Sequence, residues 1–262
     1  MRPDKVRLAD IVSMRTGKLN SNAAVDHGEY PFFTCSQQTF RIDHPVFDTE
    51  AVILGGNNAA GVFPLKYYKG QFNAYQRTYV IETLDLDVLS TRYLYYALHP
   101  VLSYFKSVSI GAATQYLTKG ILDNFQIVLP PIGTQNSIAS ILSAYDDLIE
   151  NNRRRIQLLE QAARLLYKEW FVHLRFPGHE HTKIIDGVPE GWKKKKLGDV
   201  AATNAESYKA NNLPNEINHI DIASVKQGRI LSKNKMPSSE APGRARRKGA
   251  DGDVIWSNVR PN

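Results

Sequence analysis

The sequence has one cysteine among its 262 residues, Cys35, so an internal disulfide cannot form and a zinc site made of several cysteines is excluded. It also lacks any apolar run near the ~20 residues that a membrane-spanning helix needs. The N-terminal segment has no apolar stretch of the kind found in secretory signal peptides. Together these absences predict a protein of the reducing cytoplasm without a membrane partner.

Signatures of nucleotide-driven and catalytic chemistry are missing as well. The chain has no GxxxxGK(S/T) phosphate-binding loop, and the glycine spacing in "GGNNAAG" (55–61) is wrong for a dinucleotide-binding turn. A methyltransferase signature would place Asn or Asp before Pro-Pro, whereas Leu129 precedes Pro130 and Pro131. The acidic pair and lysine of a metal-dependent nuclease have no convincing instance. We therefore predict no catalytic residue, metal site or cofactor site in this chain.

The net charge of +7 is unevenly distributed. Residues 1–130 carry 12 Lys and Arg against 11 Asp and Glu, and residues 131–175 carry 6 against 5. Residues 176–262 carry 15 against 10, mainly in "KKKK" (193–196) and "RARRK" (244–248). A polyanion partner is one interpretation of these two runs, and a solvated basic face or tail is the more common one.

A long helical pattern follows Pro130 and Pro131. Residues seven apart form two series that make a heptad seam, in which nine of ten residues are apolar. The first series is Leu142, Ile149, Ile156, Ala163 and Trp170, and the second is Ile138, Tyr145, Asn152, Leu159 and Leu166. With Thr134 as N-cap, the pattern predicts a helix over residues 134–172 that is ~58 Å long and supercoils with a partner helix.

Asn152 is the one polar residue of this seam. Two interpretations stay open: it pairs with a partner's Asn and fixes the register, or it lies at the edge of the seam and is solvated. In either case the rod is longer than a small domain needs to cover itself. A helix of this length suits a spacer between two functional parts of the protein.

The segments on both sides of the helix share a pattern. Strand-like runs at 50–56, 77–83 and 125–131, and a helical stretch at 90–108 that breaks at His99-Pro100, predict an α+β domain before the helix. After it, "KKLGDVAATN" (195–204) repeats the pattern of "VRLADIVSMR" (6–15). Likewise, "GDVIWSNVRPN" (252–262) repeats that of "EAVILGGNNAA" (50–60). The chain therefore begins a second, incomplete copy of its first domain.

This arrangement resembles the specificity (S) subunit of type I restriction–modification enzymes. The stretch from "LPPIGTQ" to "LLYKEWF" (129–171) is similar to the central conserved region of that family, and "GAATQYLTKGILDNFQIVLPP" (111–131) is similar to the end of its first recognition domain. "GVPEGWKKKKLGDV" (187–200) resembles its entry into the second. The predicted segments are a target-recognition domain (1–132), a long coiled-coil helix (133–175), a linker (176–192) and an incomplete second target-recognition domain (193–262).

The resemblance implies a non-catalytic, sequence-specific DNA-binding subunit. Each recognition domain would read half of a bipartite double-stranded target, while the helices set the gap and dock the methyltransferase (M) and restriction (R) subunits. S-adenosylmethionine, ATP and Mg²⁺ would be used by those partner subunits. The family pattern has two domains and two antiparallel helices, and this sequence lacks the second helix. We therefore expect an antiparallel homodimer through residues 134–172, with a symmetric bipartite site.

Candidate DNA-binding residues follow from base chemistry, because Asn and Gln suit adenine whereas Arg and Lys suit guanine. Turn-like stretches supply the candidates Arg15, Lys18, Gln37, Gln38, Asn57, Asn58, Gln76, Arg77, Gln115 and Tyr116. Gly55, Gly56 and Gly61 bracket the Asn pair and would let the backbone approach a ligand. Because the resemblance places "GGNNAAG" and "ATQYLT" in the recognition domain, these two stretches are the strongest candidates. Ordinary polar loop residues are the competing interpretation of the others.

A second class of function also stays open. The chain would then be a non-catalytic coiled-coil scaffold, or an inactive truncated relic, without DNA specificity. Salt-dependent binding of duplex DNA would favour the specificity subunit, because contacts to phosphates release counterions.

Overall fold

A computed structural model describes residues 5–59, 61–204, 206–209, 211–226, 228–243 and 245–256. The chain divides into two compact units, Met1–Arg164 and Leu165–Asn262. Among the described residues, the hydrophobic core clusters lie in the first unit. Helices and strands both build that unit, which confirms the predicted α+β class. The division falls within the long helix, and the four segment boundaries given above stay predictions.

The first unit contains a six-stranded sheet and two short ladders. Its strands are β1 (Lys5–Arg7), β2 (Val12–Thr16), β3 (Tyr30–Phe33), β4 (Phe40–Ile42), β5 (Phe47–Gly55), β6 (Asn57–Asn58), β7 (Leu65–Ala74), β8 (Thr78–Thr83), β9 (Gln115–Tyr116) and β10 (Gln126–Val128). The large sheet has the order β2-β8-β5-β7-β3-β4, with β3 and β7 parallel and the other neighbours antiparallel. The small ladders are β1-β10 and β6-β9.

Strand β5 divides the hydrophobic core into two clusters. Its residues from Ala51 to Gly55 are all buried, because β7 and β8 pair with it on either side. Val52 and Leu54 pack in one cluster with residues such as Leu94 and Phe105 of the helical layer. Ala51 and Ile53 pack in the other cluster with aromatic residues of β3 and β7. This alternation is the two-residue period of a strand that is covered on both faces.

Four short helices precede the long one: α1 (Leu8–Ile11), α2 (Thr91–Leu98), α3 (Leu102–Val108) and α4 (Lys119–Asp123). Single 3₁₀ turns lie at Ser21–Ala23 and at His99–Val101. The second of these turns confirms the predicted break between two helical segments. Pro100 has no backbone N–H and its ring obstructs the preceding turn, so a continuous helix cannot pass through it.

The long helix α5 spans Ile132–Tyr167 and continues as a π-helical turn over Lys168–Val172. Its 36 residues make it ~54 Å long. The prediction that Thr134 is the N-cap is wrong. The N–H groups of Thr134 and Gln135 donate to the carbonyl oxygen of Pro131, at 2.8 and 3.1 Å, so Thr134 lies inside the first turn. A proline just before the helix already has the φ that a helix requires, which allows the earlier start.

The predicted seam lies largely on an exposed face of α5. Ile138 is half-buried against the core of the first unit, whereas every residue from Ala144 to Lys168 is exposed. The seam residues Leu142, Tyr145, Ile149, Asn152, Ile156, Leu159, Ala163 and Leu166 are all exposed, and Trp170 in the π turn is half-buried. Across the described ranges, no helix combines the length and apolar character needed to cross a bilayer.

The second unit has short elements only. Strands pair as β11 (Ile184–Ile185) with β12 (Val188–Pro189), β13 (Glu216–His219) with β16 (Asn234–Pro237), and β14 (Val225–Lys226) with β15 (Arg229–Ile230). Single 3₁₀ turns lie at His179–His181, Leu197–Asp199 and Ile222–Ser224.

The structure supports the predicted repeat for one of its two pairs of motifs. The turn at Leu197–Asp199 occupies the place in its motif that α1 occupies in the first copy. The prediction that Asp253–Trp256 form a counterpart of β5 is wrong, because these residues form no strand, and Val254 is 88% exposed. The remainder of that motif, 257–262, lies outside the described residues.

Candidate nucleic-acid interface

The loops of the first unit converge on a polar cleft of about 360 Å³. Its lining residues are Ser21, Thr34, Cys35, Ser36, Asn57, Asn58, Ala59, Tyr75 and Thr114. They come from five separate stretches of the chain, and four of these carry or adjoin candidate DNA-binding residues. We call this site the polar cleft below.

The ladder of β6 and β9 joins the two strongest candidate stretches. Asn57 pairs with Tyr116, and Asn58 pairs with Gln115. The amide of Gln115 is held inside its own turn, because its Nε2 donates to Gly111 O at 2.7 Å and its Oε1 accepts from Ser109 Oγ at 3.0 Å. The backbone pairing therefore places both stretches on the same side of the polar cleft. Nothing in the linear sequence indicated this pairing.

The two asparagines differ in how their side chains are satisfied. Asn58 Oδ1 accepts from Val62 N at 3.3 Å, which ties the loop after β6 together. Asn57 Oδ1 is buried and has no hydrogen-bond partner among the described residues. A buried acceptor left unpaired destabilises a fold by ~1–3 kcal/mol, so the buried position of the Asn57 side chain lowers the stability of the folded state.

The glycines around this pair allow a close approach between parts of this chain. A Cβ on Gly56 would lie 2.6 Å from the carbonyl oxygen of Arg77, and one on Gly55 would lie 2.7 Å from the ring of Pro64. The predicted approach of this backbone to a ligand stays a prediction. Gly61 has a φ of +66°, a conformation that favours glycine.

The turn after β7 connects three sides of the polar cleft. Cys35 Sγ donates to Arg77 O at 3.3 Å, and the Arg77 guanidinium lies 5.2 Å from the ring centroid of Tyr116. Gln76 Nε2 donates to Asn20 Oδ1 at 2.9 Å. The structure thus brings Arg77 against the β6–β9 ladder, where its guanidinium lies on the aromatic face of Tyr116.

Lys66 organises the loop that bears Gln37 and Gln38. Its ammonium donates to Ser36 O at 3.2 Å, to Gln38 O at 3.1 Å and to Thr39 Oγ1 at 3.1 Å. Burial lowers the pKa of Lys66 from its ordinary value. The sequence analysis missed this residue, because a lysine in a strand carries no signal that it reaches a loop some thirty residues earlier.

Arg15 and Lys18 are placed differently from the other candidates. The Arg15 guanidinium forms an ion pair with Glu82 at 2.5 Å and lies over the ring of Phe47, 5.3 Å from its centroid. Its charge is therefore already neutralised by a neighbouring strand. Lys18 is exposed just after β2, next to Leu19, which bridges to Tyr75 at the rim of the polar cleft.

The residues that line the polar cleft offer amide, hydroxyl, thiol and aromatic groups, and the Arg77 guanidinium lies over Tyr116 in the adjoining β6–β9 ladder. Such groups recognise base edges and phosphates through hydrogen bonds and stacking. In the ranges that the structure describes, no three His, Cys, Asp or Glu side chains are grouped as metal ligands. The chemistry that this arrangement supports is binding.

Comparison with known proteins identifies one family. A family model described as "Type I restriction modification DNA specificity domain" matches residues 4–161, a range that contains the whole polar cleft and most of α5. The specificity subunit of the type I restriction enzyme EcoDI from Escherichia coli is 29% identical over 283 residues, which cover 98% of this chain and 62% of that protein. The specificity subunit of the type I restriction enzyme MjaIX from Methanocaldococcus jannaschii is 32% identical over 127 residues, 46% of this chain and 29% of that protein.

A solved structure shows the same fold. The crystal structure of the S subunit of a type I restriction–modification system from M. genitalium aligns with a TM-score of 0.59 at 19% identity, over 68% of this chain and 48% of that one. The chain spans less than two thirds of the length of the relatives it matches.

Proposed function

Since the chain belongs to the family of type I restriction–modification DNA specificity proteins, we propose that it is a DNA-reading specificity subunit. Its N-terminal domain, residues 5–131, would recognise one half of a bipartite double-stranded target. The observation that carries this proposal is the convergence of the loops bearing Gln37, Asn57, Arg77 and Gln115 on one polar cleft. Residue types that read bases are thereby concentrated on one surface of a rigid sheet.

Catalysis would belong to partner subunits. In this proposal the chain is not an enzyme, and it directs a methyltransferase subunit and a restriction subunit to the DNA sequence that it recognises. S-adenosylmethionine, ATP and Mg²⁺ would be bound by those subunits. The complex would act in the cytoplasm, where the DNA of a bacterial or archaeal cell is found.

The second half of the target would come from a second copy of the chain. The apolar stripe of α5 supports this part of the proposal, because Ile149, Ile156 and Leu166 are about half-exposed in the single chain. A stripe of this size is stable in water only when another surface covers it. An antiparallel pairing of two α5 helices would bury the stripe symmetrically and place one N-terminal domain at each end.

The test is selection of duplexes from a random library by the chain in complex with its methyltransferase subunit. We expect enrichment of a bipartite, symmetric sequence, with binding that weakens steeply as salt is raised. Replacing Asn57, Asn58 and Gln115 with Ala should reduce affinity for the enriched duplex far more than for a scrambled one.

An equal loss of affinity on both duplexes would mean that these residues contact phosphates or support the fold, and would remove them from base readout. If no sequence is enriched at any salt concentration, the chain is a scaffold and the proposal is wrong.

A further inference from the structure

The long helix is anchored to the N-terminal domain by a buried amide. Gln135, in the first turn of α5, is fully buried. Its Oε1 accepts from Ser90 N at 3.0 Å, and its Nε2 donates to Val88 O at 2.9 Å and to Pro130 O at 2.8 Å. The side chain therefore joins the start of α5 to the loop that leads into α2. One buried point of this kind fixes where the helix begins, but it leaves the direction of the helix free to vary.

A second contact lies further along the same helix. The Tyr96 hydroxyl of α2 donates to Asp146 Oδ2 at 2.7 Å. Burial and then this hydrogen bond raise the pKa of Tyr96, so that the phenol is a protonated donor at neutral pH. Tyr96 is itself held in place, because its ring packs on the ring of Tyr95 with 5.0 Å between centroids. Beyond Asp146, every residue of α5 is exposed.

The two contacts hold α5 against the N-terminal domain at two points along the helix. Gln135 and Asp146 are 11 residues apart, which is close to three whole turns, so both lie on the same face of α5. They are ~16 Å apart along the helix axis. Ala139, buried on the same face between them, lets the helix lie close to the domain. A change in the angle between α5 and the N-terminal domain must therefore break the Tyr96–Asp146 hydrogen bond.

We propose that Tyr96 and Asp146 are positioning residues that fix the angle between α5 and the N-terminal domain, with Gln135 as the pivot. If the chain is the proposed specificity subunit, that angle, together with the length of the helices, would set the distance between the two DNA half-sites. The spacing preference of the complex is thus determined in part by a hydrogen bond that touches no DNA. The claim about spacing rests on the proposed function, whereas the claim about the angle does not.

The angle can be measured without DNA. Spin labels at Asp43→Cys in the domain and Gln157→Cys on the polar face of α5, in a Cys35→Ser background, report the distance between them by pulsed electron resonance. Mixing with unlabelled chain removes distances between copies. We expect a narrow distribution for the parent and a broader or displaced one for Tyr96→Phe and for Asp146→Ala. The double variant should resemble either single variant, because both remove the same bond.

Asp147→Ala is the matched control, since it removes the same charge one residue away, where the described residues show no partner for that carboxylate. It should leave the distribution unchanged. If Tyr96→Phe and Asp146→Ala also give the parent distribution, the Tyr96–Asp146 hydrogen bond does not fix the angle and the inference is wrong. If the control broadens it as much as they do, the effect is one of helix charge and the inference is equally wrong.

The consequence for DNA is tested on duplexes whose spacer differs by single base pairs, bound by the chain in complex with its methyltransferase subunit. The parent should prefer one spacer length, and Tyr96→Phe should reduce that preference by about fivefold, which is within the effect of one hydrogen bond to a charged acceptor. The penalty for a mutated half-site should stay the same. An unchanged spacer preference alongside a broadened angle would overturn the spacing claim. Absence of any sequence preference in the parent would instead overturn the proposed function.

Discussion

At the scale of single residues, the polar cleft depends on side chains that hold loops as much as on those that face outward. Lys66 is the example: its ammonium has three oxygen partners, all within residues 36–39, and no carboxylate. The residues that such contacts hold, Gln37 and Gln38, could be selected from the sequence by type. Lys66 could not, because its role depends on a contact between distant parts of the chain.

Replacing Lys66 with Met removes all three of these hydrogen bonds and should therefore disorder the loop and weaken binding of the target duplex by about tenfold or more. Lys69→Met is the control, because Lys69 lies on the same strand and its ammonium pairs with Glu50 at 3.0 Å, away from the loop. Affinities measured by fluorescence anisotropy decide the matter. Equal losses for the two variants would indicate a general charge effect and would contradict the role of Lys66.

His99 predicts a pH dependence of stability. Burial lowers its pKa, and the ring packs edge-on against Tyr95 with 4.6 Å between centroids, while Asp146 acts in the opposite direction. The folded state therefore prefers the neutral imidazole, and protonation destabilises it. This contribution is complete above the ordinary histidine pKa of about 6.5 and is lost as the pH falls below it.

The difference in unfolding free energy between the parent and His99→Gln should thus shrink as the pH falls from 7.5 to 5, measured by urea denaturation at each pH. A difference that stays constant would show that folding leaves the pKa of His99 unchanged, and a difference that grows would show that folding raises it; either result contradicts the prediction.

At the scale of elements, the attachment of α5 depends on Gln135. Gln135→Ala would remove a fully buried side chain and leave the N–H of Ser90 and the carbonyls of Val88 and Pro130 without their partner, so the unfolding free energy of the first unit should fall by ~2–3 kcal/mol. The adjacent, exposed Asn136 supplies the control, since Asn136→Ala should change it by less than ~0.5 kcal/mol. Urea denaturation followed by circular dichroism gives both values. A small effect for both variants would mean that the amide does not anchor the helix.

Elements with a local repeating pattern were predictable, and contacts between distant elements were not. The heptad spacing from Ile138 onward predicted α5, and Pro100 predicted the break between α2 and α3, because both signals act within a few residues. The polar residue Thr134 is not the N-cap because Pro131, which directly precedes the helix, accepts the first helical hydrogen bonds and replaces the expected polar cap. The β6–β9 ladder joins residues 57–58 to 115–116, and two-residue strands have no periodicity to detect.

At the scale of the whole molecule, α5 presents an apolar stripe that its own domain covers only at its beginning. Placing Glu at both Ile149 and Ile156 would bury two charges in the proposed pair of helices, so the assembly should dissociate to a monomer at micromolar concentration. The matched control places Glu at Gln157 and Gln161, on the polar face of the same helix. Light scattering measures the mass. A parent that is already monomeric with α5 folded would exclude the homodimer.

The central claim is that the N-terminal domain selects the DNA sequence on which partner subunits act. Its most direct test is to map methylated bases in the genome of a host that carries only this chain and its methyltransferase partner. The account predicts methylation at one bipartite symmetric sequence, which changes or disappears when Asn57, Asn58 and Gln115 are replaced together while the chain still assembles with its partner. Methylation at an unchanged sequence in that variant, or no sequence-specific methylation in the parent, would contradict it.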